Sequence, residues 1–195
     1  MVRVLAVNNY PTEERFQRLV DCLSVNGADV SALSWESCST KTFSKYSGVA
    51  LSGSPDMMSK PSVQEKFSAE IEAVRDSSVP ILGVCFGHQL MAHAFGSAVV
   101  EDRQHVLDFV STNVLTPEGL FSSMPAKLLL LESRHEVVAS LPAGFQLLAR
   151  SETTEVAAMQ HKGRPLYGVQ SHPERYTKEN PDGRDVVGNF VRLLR

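Results

Sequence analysis

Apolar residues in the first half of the chain follow two alternating spacings. Continuous apolar runs at residues 2–7, 48–51 and 79–84, and a shorter one at 29–33, are typical of buried strands. Between them, apolar side chains recur with helical spacing, at Phe16, Leu19, Val20 and Leu23 and again at Val63, Phe67, Ile71 and Val74. Strands that alternate with helices in this way predict a parallel sheet with helices on both faces.

Short β-rich runs dominate the chain after Gly96. They lie at residues 99–100, 109–115, 128–131, 137–138, 145–148, 156–159 and 166–169. A last helical pattern starts at Asp182 and Gly183 and includes Val186, Val187, Phe190, Val191 and Leu194. We therefore expect the parallel sheet to continue into an antiparallel extension, and we expect residues 1–195 to form one domain.

Charge and cysteine content argue against several classes of function. The formal net charge is -3 and the pI is near 6.1, and no polybasic block is present, so we expect no nucleic-acid partner. Cys22, Cys38 and Cys85 are an odd number of cysteines without metal-ligand spacing. This pattern argues against a disulfide framework or a metal site and favours a cytoplasmic location. The apolar run at 2–7 is too short for a signal sequence or a membrane span.

One cysteine lies between two glycines where the strand at 79–84 ends. In Gly83-Val84-Cys85-Phe86-Gly87, a sharp strand-to-helix turn would leave no room for side chains two residues before and after Cys85, and glycine meets that need. The helix expected at 89–95 would direct its N-terminal amides toward the thiol and favour a thiolate. Cys85 is thus a candidate nucleophile, and a packed thiol in a glycine-rich turn is the alternative.

A cysteine nucleophile requires a base, and the base requires a group that orients it. His172 follows the strand predicted at 166–170, at the end where open α/β sheets form their sites. Glu174 lies two residues further on, which is the same side of an extended chain, and Pro173 fixes φ between them. We predict that Glu174 orients His172 beside the Cys85 thiolate; a strand-end histidine in a proline turn is the alternative.

Together these segments resemble those of the class I glutamine amidotransferases, whose glutaminase triad is Cys, His and Glu. The similarity extends over nearly the whole chain, at residues 51–55 (Leu-Ser-Gly-Ser-Pro), 80–89, 133–138 (Ser-Arg-His-Glu-Val-Val), 151–153 (Ser-Glu-Thr) and 168–174. It implies a flavodoxin-like α/β fold: an open, mostly parallel sheet with helices on both faces and a smaller antiparallel β extension.

The resemblance implies a role for each member of the triad. Cys85 would attack the side-chain amide of glutamine and give a γ-glutamyl thioester and ammonia, after which water would release glutamate. His172 would carry the protons and Glu174 would orient it. The half-reaction requires neither a metal nor an organic cofactor.

The resemblance also implies the groups that bind the substrate. Backbone amides of Phe86 and of the loop at Gly53 and Ser54 would form the oxyanion hole. The amino-acid end of glutamine would be bound by Gln89, Ser133, Arg134 and His135. Most family members have glycine where this chain has Ser54, whose Cβ restricts φ in the loop. The sequence therefore leaves open whether the loop is aligned without a partner.

The branch of the family is less specific in the sequence. The segment 133–136 departs from the Ser-His-x-Asp arrangement of the GMP-synthetase branch, whereas His135 falls where anthranilate-type subunits have a histidine. Because the chain ends at Arg195, after the last predicted helix, we expect a glutaminase subunit that supplies a separate synthetase, first of the GMP-synthetase type and next of the anthranilate or aminodeoxychorismate type. Ser-Gly-Ser-Pro and Cys-Phe-Gly-His-Gln also resemble γ-glutamyl peptidases, so a stand-alone hydrolase is an alternative. A non-catalytic regulatory module is the third.

Overall fold

Nine strands form one sheet in the computed structural model, which describes residues 1–195 except for the side chain of Arg103. The strands are β1 (Val2–Asn8), β2 (Ala28–Ser34), β3 (Gly48–Leu51), β4 (Ile81–Val84), β5 (Val99–Val114), β6 (Lys127–Val138), β7 (Phe145–Ser151), β8 (Ala158–His161) and β9 (Leu166–Val169). The helices are α1 (Glu13–Val25), α2 (Thr40–Phe43), α3 (Pro61–Lys66), α4 (Ser68–Asp76), α5 (Phe86–Ala94) and α6 (Asp182–Leu193). The order of strands across the sheet is β2-β1-β3-β4-β9-β8-β7-β5-β6.

The first five strands in that order, from β2 to β9, are parallel. Alternate side chains of β1 enter two different cores, because successive residues of a strand point to opposite faces. Val4 and Ala6 pack in the core formed with α1 and α6, whereas Leu5 and Val7 pack in the core formed with α3, α4 and α5. Burial on both faces accounts for the continuous apolar runs in the sequence. The predicted parallel sheet with helices on both faces is confirmed.

Four further strands, β8, β7, β5 and β6, extend the sheet in antiparallel pairs, as predicted. The runs at 99–100 and 109–115 are parts of the single strand β5, and those at 128–131 and 137–138 are parts of β6. Both strands continue through polar residues, because pairing with each other satisfies their backbone groups. A register shift between Glu101 and Val106 interrupts the apolar pattern. The pattern therefore underestimates the lengths of both strands.

Two helices differ from their predicted boundaries. Phe86 begins α5, three residues before the expected start at 89, because Gly87 in the first turn has a low helix propensity and no apolar side chain to show the helical spacing. The apolar face from Val63 to Val74 is divided between α3 and α4 at Phe67, where φ is -96° and ψ is 15°. Among the described residues, none of the helices has the length and hydropathy needed to cross a membrane.

Candidate active site

The backbone at Cys85 is strained. Cys85 lies between β4 and α5 with φ 49° and ψ -99°, and L-residues with a side chain rarely adopt a positive φ. Its amide donates a hydrogen bond to the carbonyl of Val169 in β9, at 2.9 Å. A Cβ atom at Gly83 would lie 2.5 Å from the carbonyl oxygen of Gly87, and one at Gly87 would lie 2.7 Å from Leu51 Cβ. The two glycines thus permit the close packing that the turn requires.

Gly83→Ala is expected to lower the free energy of unfolding by about 2 kcal/mol or more, because the atom it would strike belongs to the backbone and cannot rotate away. Urea unfolding measures the change. Gly163→Ala is the matched control, since the atom nearest to its Cβ would be 3.8 Å away, and its effect should stay within about 0.5 kcal/mol. Equal effects of the two substitutions would contradict the geometry of this turn.

His172 and Glu174 lie beyond the carboxyl end of β9. His172 Nδ1 is 2.7 Å from Glu174 Oε1, and both residues are more than nine-tenths buried. The carboxylate reaches the imidazole through a 3₁₀ turn that begins at Pro173, and not along the extended chain that the spacing predicted. Proline has φ near the helical value, which favours this turn.

The electrostatics of His172 favour a charged imidazole. Burial lowers its pKa, but the negative charges of Cys85 and Glu174 and the hydrogen bonds to both side chains outweigh burial and raise the pKa to about 10. The arrangement therefore favours an imidazolium between a thiolate and a carboxylate.

Polar groups of β6 and of the segment after β9 surround the thiol. Cys85 Sγ lies 3.7 Å from the carbonyl oxygen of Ser133 and 3.8 Å from Gln170 Nε2. Gln89 Nε2 donates to the carbonyl of Glu136 at 2.9 Å and to Gln170 Oε1 at 3.4 Å. Gln89 is therefore fixed from α5 against the antiparallel part of the sheet.

Three backbone amides around these residues have no hydrogen-bond acceptor among the described residues, namely those of Gly53, Ser54 and Phe86. The Phe86 amide is the first of α5, at the positive end of the helix dipole. A Cβ atom at Gly53 would lie 2.7 Å from His172 Cε1, so the loop can approach the imidazole this closely only with glycine there. The Ser54 hydroxyl accepts a hydrogen bond from the Asp56 amide at 3.1 Å, which shapes the same loop.

A cleft of about 550 Å³ opens beside Cys85. It is lined by the predicted residues Ser54, Gln89, Ser133, Arg134 and His135. The Arg134 side chain is fully buried, where Nε donates to Glu132 Oε2 and Nη2 to the carbonyl of Thr153, each at 2.8 Å, and Nη1 pairs with Asp102. Arg134 therefore lines the cleft with its backbone.

The other histidines are in different settings. His88 is fully buried, and this burial lowers its pKa to about 4, so it is neutral at pH 7. His105 and His135 pack edge to face on the hairpin of β5 and β6, with ring centroids 4.2 Å apart. His135 is exposed at the rim of the cleft. Among the described residues, only His172 is hydrogen-bonded to a carboxylate.

Several residues near the site were missed by sequence reasoning. The Tyr10 hydroxyl contacts the position that a Cβ of Gly53 would occupy, and burial followed by the charges of Glu174 and Cys85 raises the pKa of this phenol. The buried Glu136 carboxylate accepts from the Ser59 amide at 3.1 Å. Glu136 lies within a segment already singled out, so its position could have suggested a role. The position of Tyr10 just after β1 carried no comparable signal.

Glu70 is a fully buried carboxyl group on α4 that the helical spacing did not reveal. Burial raises its pKa from 4.5 to about 8, although a hydrogen bond from the Asn9 side chain opposes the shift. Cys38 packs near this carboxyl, and burial followed by the charge of Glu70 raises the pKa of its thiol.

The stability of the protein is expected to fall as pH rises from about 5 to about 8, and Glu70→Gln should remove part of that fall. In this range the folded protein keeps the Glu70 proton and the unfolded chain releases it. The folded state thus binds more protons, and the free energy of unfolding decreases with pH. Urea midpoints at the two ends of the range measure the effect. Equal losses in wild type and Glu70→Gln would contradict the raised pKa.

The family model of class I glutamine amidotransferases matches residues 11–193. This chain belongs to the class I glutamine amidotransferase family. The match covers the structure from the segment before α1 to the last residue of α6 and includes every residue of the candidate site except Tyr10, Asn9 and the strand before them. The predicted family and enzyme class are confirmed.

The amidotransferase is similar to curated proteins from archaea. It is 41% identical over 149 residues to the glutamine-hydrolysing subunit of GMP synthase from Thermococcus kodakarensis, with 76% of each chain covered. It is 39% identical over 154 residues to the protein of the same name from Methanopyrus kandleri, again with 76% of each chain covered.

Solved structures agree with this assignment. A candidate GMP synthase subunit from Thermoplasma acidophilum superposes with a TM-score of 0.88 at 27% identity, covering 100% of this chain and 94% of that chain. A glutamine amidotransferase from Thermotoga maritima has a TM-score of 0.75 at 20% identity, covering 90% of this chain and 77% of that chain, and shows the shared fold.

Proposed function

We propose that this amidotransferase hydrolyses glutamine to glutamate and ammonia, with Cys85, His172 and Glu174 as its catalytic triad. The observation that carries the proposal is the Cys85 thiol on a strained turn beside a polar cleft, in contact with an imidazole that a carboxylate binds at 2.7 Å. A nucleophile, a base and an orienting group in this order are the components of thiol acyl transfer.

In the first half-reaction, the Cys85 thiolate attacks the side-chain carbonyl carbon of glutamine. The carbonyl π electrons move to oxygen, and the resulting oxyanion accepts hydrogen bonds from the amides of Phe86 and of the loop at Gly53 and Ser54. The C–N bond then breaks as the His172 imidazolium gives its proton to the leaving nitrogen. The products are ammonia and a γ-glutamyl thioester on Cys85, with His172 neutral.

In the second half-reaction, neutral His172 removes a proton from water as the oxygen attacks the thioester carbon. A second oxyanion forms in the same site, and the C–S bond breaks when it collapses. Glutamate leaves, and Cys85 and His172 are again thiolate and imidazolium. Glu174 stabilises the imidazolium at both ends of this cycle and remains ionised.

The proposal assigns the amino-acid end of glutamine to the cleft walls. Gln89 and the backbone of residues 133–135 supply polar groups there, and the buried ion pairs of Arg134 fix that backbone. The two unpaired amides of the loop and the amide of Phe86 supply the oxyanion hole. Loss of one such donor costs on the order of 3 kcal/mol in the activation barrier.

We further propose that the ammonia goes to a separate synthetase subunit of the GMP-synthetase type. The names of the curated relatives, which describe a glutamine-hydrolysing subunit of GMP synthase, support this acceptor. A cytoplasmic location and a single domain over residues 1–195 are part of the same proposal. They are supported by three free cysteines, all buried, and by one continuous sheet.

An assay with three substrates tests the proposed function. Purified protein is supplied with glutamine, with γ-glutamyl dipeptides, or with glutamine plus the synthetase subunit of a GMP synthase, and glutamate, ammonia and GMP are measured. We expect glutamate from glutamine, and GMP formation from glutamine only when this chain is present. Ammonium salts should support GMP formation without it. Faster hydrolysis of dipeptides than of glutamine, with no response to the synthetase, would favour the γ-glutamyl peptidase alternative.

A further inference from the structure

Ser52 connects the end of β3 to the loop that contains Gly53 and Ser54. Its amide donates to the carbonyl of Val7 at 3.1 Å. Its hydroxyl accepts a hydrogen bond from the Asn9 amide at 2.9 Å and donates to the carbonyl of Gly53 at 2.9 Å. The hydroxyl of Ser52 thus links the end of β1 directly to the peptide unit between Gly53 and Ser54.

Asn9 extends this link to α4. Its side-chain nitrogen donates to the carbonyl of Ser52 at 3.3 Å and to Glu70 Oε1 at 3.2 Å. Asn9, Ser52 and Glu70 are 2%, 1% and 0% exposed. Since solvent cannot replace a lost partner at this depth, each hydrogen bond constrains the next group. The result is a continuous chain from a buried carboxyl to the carbonyl of Gly53.

We propose that Glu70, Asn9 and Ser52 are positioning residues that hold the oxyanion loop at Gly53 and Ser54 in its catalytic conformation. The inference rests on the proposed function, because it concerns the donors used in that reaction. The three residues touch neither the thiol nor the cleft, and they act through the peptide units that carry the donors. They constrain the loop within this chain, where Ser54 replaces a more flexible glycine.

The chain acts on one side of the loop while Tyr10 acts on the other. The Tyr10 hydroxyl packs at the Cα of Gly53, and the Tyr10 amide donates to Asn8 Oδ1 at 2.9 Å. The segment from Asn8 to Tyr10 therefore contacts the loop twice. A displacement of about 1 Å at such a site can cost up to 100-fold in rate, so this restraint matters to the reaction.

Ser52→Ala tests the inference with little change in volume. We expect kcat for glutamine hydrolysis to fall about tenfold or more with KM changed less than about threefold, because the donors act on the transition state. The rate at which iodoacetamide alkylates Cys85 should stay near that of wild type, since this displacement uses no oxyanion hole. Ser97→Ala is the matched control: Ser97 is 6% exposed and donates to the Ser140 carbonyl at 2.6 Å, far along the chain from the loop.

Two substitutions at Glu70 separate positioning from folding. Glu70→Leu removes the acceptor for Asn9 and should lower kcat in the same manner as Ser52→Ala. Glu70→Gln keeps an oxygen acceptor and should retain kcat within about threefold of wild type. Equal losses in Glu70→Gln and Glu70→Leu, or a loss in Ser97→Ala as large as in Ser52→Ala, would overturn the inference.

Amide hydrogen exchange of residues 52–57 distinguishes failure of the inference from failure of the proposed function. Faster exchange in Ser52→Ala than in Ser97→Ala is expected whether or not glutamine is the substrate. Unchanged exchange in this segment would overturn the inference by itself. A wild-type protein that hydrolyses no glutamine, together with faster exchange in Ser52→Ala, would instead reject the proposed function and leave the restraint on the loop supported.

Discussion

Cys85→Ala is expected to reduce the rate of glutamine hydrolysis by about 10⁴-fold or more, because loss of the nucleophile removes the acyl-transfer route altogether. The fold should be unaffected, since Cys85 contributes a small side chain at the surface of a cleft and its strained backbone is held by Gly83 and Gly87. Glutamate release in a coupled assay gives the rate, and the urea midpoint reports the fold. Affinity for glutamine should persist in the variant.

Cys22→Ala is the control for this measurement. Cys22 is 1% exposed in α1, and burial raises the pKa of its thiol to about 12, so it has no access to substrate and no thiolate at pH 7. This variant should hydrolyse glutamine at the wild-type rate. A Cys85→Ala variant that is as active as Cys22→Ala would show that the reaction does not pass through Cys85.

His172→Ala is expected to lower kcat by a similar factor, about 10⁴-fold, because one imidazole serves both half-reactions. Without it, the Cys85 thiol loses the charge that stabilises its thiolate, and the leaving nitrogen loses its proton donor. Stopped-time assays at saturating glutamine measure kcat. Imidazole added to the solution should restore part of the activity, because the variant has a vacant space in which a free base can bind.

His93→Ala provides the comparison for His172→Ala. His93 is half-buried in the last turn of α5 and has no carboxylate partner among the described residues. We expect its substitution to leave kcat within about twofold of wild type. Equal losses in the two variants would indicate a general effect of removing a histidine and would contradict the assignment of the base.

The sequence was sufficient for the elements that have strong local signals. The two glycines around Cys85, and the proline between His172 and Glu174, restrict the backbone so narrowly that the local geometry could be predicted from residue type. The first four strands of the parallel sheet were also predictable, because both of their faces are buried and their apolar runs are continuous. The family followed from the same segments.

Long-range pairing could not be predicted in the same way. The length of β5 and β6 depends on hydrogen bonds between strands, whose polar residues carry no apolar pattern. Arg134 lies in a segment that the family resemblance connects with glutamine, yet its guanidinium binds Glu132 and the Thr153 carbonyl. Only the structure shows which face of β6 this side chain occupies.

The Glu70 network is the clearest case of information that appears only in three dimensions. Asn9, Ser52 and Glu70 come from three elements separated by 43 and 61 positions in the sequence. On a helix, glutamate beside apolar residues ordinarily indicates a solvated face. Its burial here depends on the packing of α4 against the ends of β1 and β3, which a linear pattern does not encode.

The central claim is that glutamine is hydrolysed through a covalent intermediate on Cys85, and acid quenching followed by peptide mass spectrometry tests it most directly. Protein mixed with glutamine and quenched during turnover should carry one γ-glutamyl group on the peptide that contains Cys85. Hydroxylamine should remove this group as the hydroxamate, and Cys85→Ala should carry none. Steady release of glutamate with no modification of Cys85 at any quench time, and with equal rates in wild type and Cys85→Ala, would contradict the account.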